Sequence, residues 1–220
     1  MGLYILLMGV QGAGKGTQAP LLVEKYSIPH ISTGDLFRAM RTLETPLAKE
    51  IQALMAEGKL IPDDVTNRVV EDRLSQPDTQ GGAIFDGYPR STGQAQWFDD
   101  LLAGRGEKIG AVIVLQLDAE IAIKRAEGRR YSQDMKRVYN VYFNPPQNKD
   151  VDDLDGQPLI QRKDDHLDAV TERIDTFFKT TAPLIEYYRH KGVVCEIDAS
   201  RSVELVHQSI VEALEAVRSK

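Results

Sequence analysis

The hydrophobic residues of this chain alternate between short, mostly apolar runs and longer stretches with helical spacing. The short runs lie at residues 3–8, 28–31, 83–85, 112–117 and 193–197. Such runs are typical of strands that are buried on both faces of a parallel sheet. Between them, apolar residues recur every three or four positions, as Val206, Ile210 and Leu214 do near the C terminus. The pattern predicts an α/β fold in which a parallel five-stranded sheet is flanked by helices.

Two segments depart from this alternation and are predicted to be insertions. Residues 32–61 resemble a unit of two helices, the second of which starts at Thr45 and Pro46. Residues 128–165 have little helical periodicity, so we expect short strands or irregular structure there. We call residues 32–61 the helical lobe and residues 128–165 the lid segment, because a long inserted loop often covers an active site. The predicted core comprises residues 1–31, 62–127 and 166–220.

The first apolar run leads directly into a glycine-rich loop, GVQGAGKGT, at residues 9–17. Glycines allow positive φ angles, so several backbone N–H groups can converge on one anion without interference from a Cβ atom. A helix that begins near Lys15 adds its positive dipole end, and the lysine ammonium can reach the terminal phosphates of a nucleotide. Gly16 occupies the usual place of the magnesium-binding hydroxyl, which Thr17 can supply instead. The loop therefore predicts a nucleotide phosphate site.

A carboxylate that acts on the magnesium of the nucleotide is expected at the end of another strand. Asp86 follows the apolar run at 83–85, and Asp118 follows the run at 112–117, so both aspartates satisfy this pattern. Spacing favours Asp86, and Asp118 stays a rival candidate.

Phosphoryl transfer depends on positioning and on neutralising charge more than on covalent chemistry. Arginine suits this task because its guanidinium can donate two parallel hydrogen bonds to a phosphate. Several arginines lie beside the ends of predicted elements or in the lid segment: Arg38, Arg90, Arg125, Arg129, Arg162 and Arg173. Because the carboxyl ends of parallel strands meet at one edge of a sheet, we expect the glycine loop and these arginines to gather there.

Composition narrows the location and the partners of the protein. The net charge of −6, without a basic patch that alternates with aromatic residues, argues against a nucleic-acid partner. Cys195 is the single cysteine, so no internal disulfide can form. We find no leader sequence and no apolar run of roughly 18 residues, and therefore expect a cytoplasmic protein without membrane contact. No apolar stripe stands out as exposed, which favours a monomer.

Motifs in order along the chain resemble those of the adenylate kinases, a family of nucleoside monophosphate kinases. They are GVQGAGKGTQ at 9–18, ISTGDLFR at 31–38, FDGYPR at 85–90, GRR at 128–130, RVY at 137–139, FNPP at 143–146 and RKDD at 162–165. The resemblance covers essentially the whole chain and is to the bacterial type with a long lid. It implies a P-loop NTPase-type fold with an AMP-binding lobe at 32–61 and a lid at 128–165. It also implies reversible, Mg²⁺-dependent transfer of the γ-phosphoryl group of ATP to AMP, which yields two ADP.

The resemblance further implies roles for individual residues. The implied ATP site comprises Gly12, Ala13, Gly14, Lys15, Gly16, Thr17, Arg125, Arg129, Val138, Tyr139 and Arg201. The implied AMP site comprises Thr33, Arg38, Lys59, Leu60, Ile61, Gly87, Tyr88, Pro89, Arg90, Gln94, Arg162 and Arg173. The catalytic groups would be Lys15, Arg90, Arg125, Arg129, Arg162 and Arg173. Magnesium would arrive with ATP and be held through water near Asp86 and Thr17, without a direct protein ligand.

Some residues depart from the patterns of that family. Gln11 replaces a proline that is often seen in the loop, and Asn140 and Gln147 replace a histidine and a lysine in the lid. Some relatives bind zinc through lid cysteines, which the lid segment lacks. We therefore expect no structural zinc, and a lid that is held by hydrogen bonds and packing.

Three alternatives stay open on the sequence alone. A kinase of UMP or CMP would share the fold, although relatives of that kind tend to have a short lid and an alanine in place of Thr33. A GTP-driven switch usually carries Asn-Lys-x-Asp, whereas residues 148–151 are Asn-Lys-Asp-Val and lack the final aspartate. A protein that binds nucleotide without catalysis would leave the arginines without a role.

Overall fold

The computed structural model describes residues 2–56 and 61–218. Its strands are β1 (Leu3–Met8), β2 (His30–Ser32), β3 (Gly82–Asp86), β4 (Ile109–Gln116), β5 (Arg129–Tyr131), β6 (Val138–Asn140) and β7 (Val194–Asp198). A five-stranded sheet has the order β2-β3-β1-β4-β7, and each neighbouring pair in it is parallel. The predicted α/β fold of the P-loop NTPase type, with a parallel five-stranded sheet, is confirmed.

Helices cover the sheet and fill much of the rest of the chain. They are α1 (Lys15–Tyr26), α2 (Thr33–Ala39), α3 (Pro46–Ala56), α4 (Asp63–Leu74), α5 (Thr92–Gly104), α6 (Ala119–Glu127), α7 (Leu167–Thr176), α8 (Ala182–Arg189) and α9 (Val203–Arg218). A π-helical turn at Phe177–Thr181 joins α7 to α8, and 3-10 turns occupy Met40–Thr42, Pro77–Thr79 and Lys163–Asp165. In the ranges that the structure describes, no helix has the length and apolar character needed to cross a membrane.

Strand β1 shows why its apolar run is unbroken. Ile5 and Leu7 belong to one buried cluster, which includes side chains of α1, α6, α7 and α9. Leu6 and Met8 belong to a second cluster, which includes side chains of α4, α5 and α8. Successive side chains of a strand point to opposite faces of the sheet, so a strand with both faces covered needs an apolar residue at every position.

The helical lobe packs against α4, and the lid segment pairs its own short strands. In the helical lobe, Met40, Ala48 and Ile51 form a small apolar cluster with Val65 and Val69 of α4. In the lid segment, β5 and β6 form an antiparallel pair, and β5 is also bridged to Ile160. The expectation of short strands or irregular structure in the lid segment is therefore confirmed.

The parallel sheet determines where the functional loops lie. Strands β1, β2, β3 and β4 all end at the same edge, and each is followed there by a loop or a helix start. Ligands of open α/β sheets bind at this carboxyl edge.

Candidate active site at the carboxyl edge of the sheet

The glycine loop connects β1 to α1 and has a backbone that requires glycine at defined positions. Gly12 and Gly14 have φ angles of 88° and 96°, which side-chain-bearing residues rarely adopt. A Cβ atom on Gly12 would lie 2.4 Å from the carbonyl oxygen of Ala122. Gly14 is the residue before α1, so the helix N terminus opens directly onto the loop. These features produce the concave backbone of an anion site.

Lys15 is the first residue of α1, and its ammonium folds back onto the loop. Nζ donates hydrogen bonds to the carbonyl oxygens of Gly9 and Val10, at 2.8 and 3.1 Å. Burial lowers the pKa of Lys15, and the nearby charge of Asp86 opposes that shift. The charges that act in the same direction as burial come from Arg90, Arg173 and Arg129. A lysine that is destabilised by neighbouring cations indicates a site built for an anion.

A turn at Lys163–Asp165 holds three of the predicted phosphate-binding arginines through two carboxylates. Asp165 is fully buried and accepts hydrogen bonds from Nε and Nη2 of Arg129, the first at 3.0 Å. Asp164 accepts from Arg162 at 2.6 and 2.9 Å and from Arg173 at 2.8 Å. Burial raises the pKa of Asp164, but its hydrogen bonds and the charges of both arginines lower that pKa overall. Sequence reasoning gave the two aspartates no role, although RKDD was among the motifs.

Gln11 connects the glycine loop to the same turn. Its Nε2 donates to the carbonyl oxygen of Asp164 at 3.0 Å and to Oδ1 of Asp165 at 2.9 Å. The residue that departs from the proline of related loops is therefore a direct link between the loop and the arginine-bearing turn. Only its departure from that pattern marked it in the sequence.

A second group of predicted residues lies around Gly87, just after β3. Oγ1 of Thr33 and Nε of Arg90 both donate to the carbonyl oxygen of Gly87, each at 2.8 Å. Gly87 has a φ angle of 78°, and a Cβ atom there would lie 2.9 Å from a guanidinium nitrogen of Arg90. The backbone N–H of Arg90 donates to Oε1 of Gln94 at 2.7 Å. We call Thr33, Gly87, Arg90 and Gln94 the acceptor cluster.

Arg90 joins the acceptor cluster to the glycine loop. Burial lowers its pKa, the charge of Arg173 lowers it further, and the charge of Asp86 opposes both effects. The same two residues also act on Lys15. The loop and the acceptor cluster are therefore neighbouring parts of one site.

Other predicted residues contact neither the glycine loop, nor the turn at Lys163–Asp165, nor the acceptor cluster through the bonds described above. Arg38 pairs with Asp35 on α2 and is exposed, and Ile61 is half-buried. Arg125 donates to the carbonyl oxygen of Ala199 at 2.9 Å, with its guanidinium 5.7 Å from the ring centre of Phe143. Of the remaining predicted ATP-site residues, Arg201 bonds to Ser209, Val138 is exposed in β6, and Tyr139 accepts from the N–H of Asp153. Of the remaining predicted AMP-site residues, Tyr88 bonds to Asn67 and Pro89 is buried. Lys59 and Leu60 lie outside the described residues.

The two candidate magnesium-related aspartates have different surroundings. Oδ1 of Asp118 accepts from the N–H of Glu120 at 2.8 Å, so Asp118 caps α6. Asp86 ends β3, its charge acts on Lys15 and Arg90, and its Oδ2 is 4.0 Å from Nε2 of His30. Only Asp86 is among the charges that act on the loop lysine.

Arg137 organises the lid segment. Its Nε donates to both carboxylate oxygens of buried Asp152, at 2.8 and 3.0 Å, and Nη2 donates to Asp155 at 2.5 Å. Oγ of Ser132 donates to Asp134 at 2.5 Å in the same cluster. The lid segment thus contains the hydrogen bonds that its sequence led us to expect. Within residues 2–56 and 61–218, no group of three or more histidine, cysteine, aspartate or glutamate side chains could hold a metal ion.

An anion bound at the glycine loop would lie beside Lys15 and next to the arginines around it. Such an arrangement positions phosphates and neutralises their charge, which is what phosphoryl transfer requires. The fold and the site together define a phosphotransferase of the P-loop class.

Comparison with known proteins narrows this class. The family model described as Adenylate kinase matches residues 7–193. The adenylate kinase of Clostridium tetani is 41% identical over 213 residues, which cover 97% of this chain and 99% of the relative. The adenylate kinase of Symbiobacterium thermophilum is 43% identical over 216 residues, which cover 98% of this chain and all of the relative. The chain belongs to the adenylate kinase family, as its motifs predicted. It is therefore a phosphotransferase of the nucleoside monophosphate kinase type, and the GTP-driven switch is excluded.

Proposed function

We propose that this protein transfers the γ-phosphoryl group of MgATP reversibly to AMP and produces two ADP. The main support for the proposal is the position of Arg90. This arginine donates to the carbonyl oxygen of Gly87 in the acceptor cluster, and its charge also acts on the loop lysine, Lys15. A guanidinium between a donor site and an acceptor site can contact the group that moves from one to the other.

On the donor side, the loop N–H groups and Lys15 would hold the ATP phosphates. To do so, the lysine exchanges its bonds to the carbonyl oxygens of Gly9 and Val10 for bonds to phosphate oxygens. Arg125 donates to the carbonyl oxygen of Ala199 and so lies next to the segment at 198–201. This segment, which includes Arg201, would lie beside the adenosine part of ATP together with Val138 and Tyr139. Val138, Tyr139 and Arg201 would bind and orient ATP, whereas the guanidinium of Arg125 would also turn to the transferred phosphoryl group with the other catalytic arginines.

On the acceptor side, the acceptor cluster and Arg38 would hold AMP, with residues 59–61 and 88–89 along the nucleotide. The attacking phosphate of AMP is already anionic, so the reaction needs no general base. Arg129, Arg162 and Arg173 would exchange the carboxylates of Asp164 and Asp165 for phosphate oxygens as the lid segment closes. Closure also excludes water, which would otherwise accept the phosphoryl group.

Magnesium would be bound with ATP, and the side chains near the loop fit it. Mg²⁺ takes oxygen ligands, keeps several waters, and uses one or two carboxylates together with substrate phosphates. The carboxylate of Asp86 lies near the loop lysine, and the hydroxyl-bearing Thr17 is exposed in the first turn of α1. Bound there, the ion would neutralise charge on the ATP phosphates, and Asp86 would orient its waters.

The test is ADP formation from MgATP mixed separately with AMP, GMP, UMP or CMP, with controls that lack acceptor or magnesium. We expect fast turnover with AMP alone. Preference for UMP or CMP would overturn the acceptor, and slow hydrolysis that ignores the acceptor would overturn the reaction.

The role of Arg90 is tested in the same assay. Arg90→Ala should lower kcat/KM for AMP by about a hundredfold or more, because it removes charge stabilisation from the transition state. Arg189→Ala is the matched control, since Arg189 forms exposed ion pairs with Glu186 and Glu196 on α8 and β7. Near-normal activity of Arg90→Ala would contradict the role that we assign to this arginine.

A further inference from the structure

The side-chain amide of Gln94 is held at both ends by partners whose hydrogen-bonding roles cannot be exchanged. Its Oε1 accepts from the backbone N–H of Arg90 at 2.7 Å, and its Nε2 donates to Oδ1 of Asp63 at 2.6 Å. A backbone N–H can only donate, and an ionised carboxylate can only accept. Turning the amide by 180° would place two donors together at one end and two acceptors at the other. The structure therefore determines which end of Gln94 is oxygen and which is nitrogen.

Ser91 holds the carboxylate of Asp63 in this arrangement. Its hydroxyl donates to Oδ2 of Asp63 at 2.5 Å and accepts from the backbone N–H of Gln94 at 3.1 Å. Because an ionised carboxylate can only accept, the hydrogen of the serine hydroxyl is directed to the aspartate. Asp63 is the first residue of α4 and Ser91 caps α5, so two helix starts orient one amide.

An amide has two N–H hydrogens and two oxygen lone pairs, and these contacts use one of each. Among the described residues, the amide of Gln94 makes no other hydrogen bond. A bound ligand can therefore meet one donor on Nε2 and one acceptor on Oε1, in a fixed order.

We propose that Asp63 and Ser91 are positioning residues that lock the amide of Gln94, and that this lock selects a 6-amino purine over a 6-oxo purine at the acceptor site. A 6-amino purine offers a donor at its exocyclic nitrogen and an acceptor at N1, which complement Oε1 and Nε2. A 6-oxo purine offers an acceptor at O6 and a donor at N1–H, which oppose both. A mispaired buried polar group is costly, so the locked amide rejects the oxo base.

The inference rests on the proposed function, in which the acceptor cluster that includes Gln94 holds AMP, and it assigns the base of AMP to the amide of Gln94. Its test compares AMP with IMP, because the two bases differ only at position 6 and in the proton at N1. The measured quantity is the ratio of kcat/KM for AMP to kcat/KM for IMP, with MgATP as the donor.

Asp63→Asn is the decisive variant. An asparagine can present either its carbonyl or its amide to Gln94, so the flipped amide loses one favourable contact instead of two. We expect the AMP/IMP ratio to fall by at least about tenfold, through a rise in kcat/KM for IMP. A purely structural role of Asp63 would lower both values and leave their ratio unchanged.

Asp64→Asn is the matched control, since it removes the same charge from the same turn of α4 at a carboxylate that does not bond to Gln94. Ser91→Ala provides a second variant, in which the lock loses one support and the ratio should fall by a smaller factor. A ratio that stays within about twofold in Asp63→Asn, or that falls equally in Asp64→Asn, overturns the lock. If the unmodified protein fails to prefer AMP at all, the proposed function fails, which is a separate result.

Discussion

The central sheet and the lid segment bury different kinds of side chain. Strand β1 and its neighbours bury only apolar side chains over long stretches, as in Ile5, Leu6 and Phe85, each 0% exposed. In the lid segment the buried side chains are Tyr131 and the polar Ser132, Asp152 and Asp165. Five of its large apolar side chains are instead exposed: Met135, Val138, Tyr142, Phe143 and Leu154.

The difference follows from the size and the role of each region. A large sheet with helices on both faces can exclude water from many apolar side chains at once, and that burial needs no particular orientation. A short inserted segment has too much surface for its volume to do the same. It depends on directional bonds such as those of Arg137, which specify one local structure. In the proposed function, these exposed apolar side chains would cover a bound nucleotide when the lid segment closes.

The largest expected difference between the sheet and the lid segment is in the stability cost of replacing a phenylalanine. Phe98 is fully buried, with its ring centre 4.8 Å from that of Phe85, whereas Phe143 is 54% exposed. We expect Phe98→Ala to lower the free energy of unfolding by about 3–5 kcal/mol. Phe143→Ala should cost less than about 1 kcal/mol, since it loses little more than a cation–π contact with Arg125. Urea unfolding followed by circular dichroism measures both, and equal costs would show that the lid segment is packed like the core.

A second prediction concerns Lys15, which lies at the carboxyl edge of the sheet and should contribute to catalysis more than to stability. Lys15→Met keeps the length of the side chain but removes an ammonium that lies near several arginines. We expect a loss of transition-state stabilisation of about 3–4 kcal/mol, measured as kcat/KM, with little change in the free energy of unfolding. Lys25→Met, on the exposed end of the same helix, is the control. A large loss of stability with retained activity would show that Lys15 stabilises the fold and not the transition state.

The smallest effect concerns the polar interior of the lid segment. Arg137→Met leaves the buried carboxylate of Asp152 with only the N–H groups of Leu154 and Asp155 as partners. We expect amide hydrogen exchange in the lid segment to accelerate by about 10–100-fold, as the loss of about 1–3 kcal/mol implies, while exchange in the sheet stays constant. Lys136→Met, an exposed neighbour, should change neither region. If exchange accelerated equally in the sheet, the two regions would unfold as one unit.

Local patterns were sufficient to predict much of the fold and the loop. The apolar run of β1, the glycines at 12 and 14, and Lys15 at the start of α1 each depend on residues that are close in sequence. The same holds for the cap of α2, where Oγ of Ser32 accepts from the N–H of Asp35, three residues further along the chain. Asp86 and Asp118 could not be separated in this way, because both follow an apolar strand. The tertiary structure separates them, because the charge of Asp86 acts on the loop lysine, whereas Asp118 caps α6.

The sequence by itself determined the periodicity of the strands and helices, the backbone freedom of the glycine loop, and the family to which the motifs belong. Those features arise from neighbouring residues, whose spacing is visible in a linear chain. The tertiary structure alone decided that Gln11 bonds to Asp165 and that Asp63 orients Gln94. A hydrogen bond depends on distance and direction between atoms, and folding brings these partners together from positions 154 and 31 residues apart.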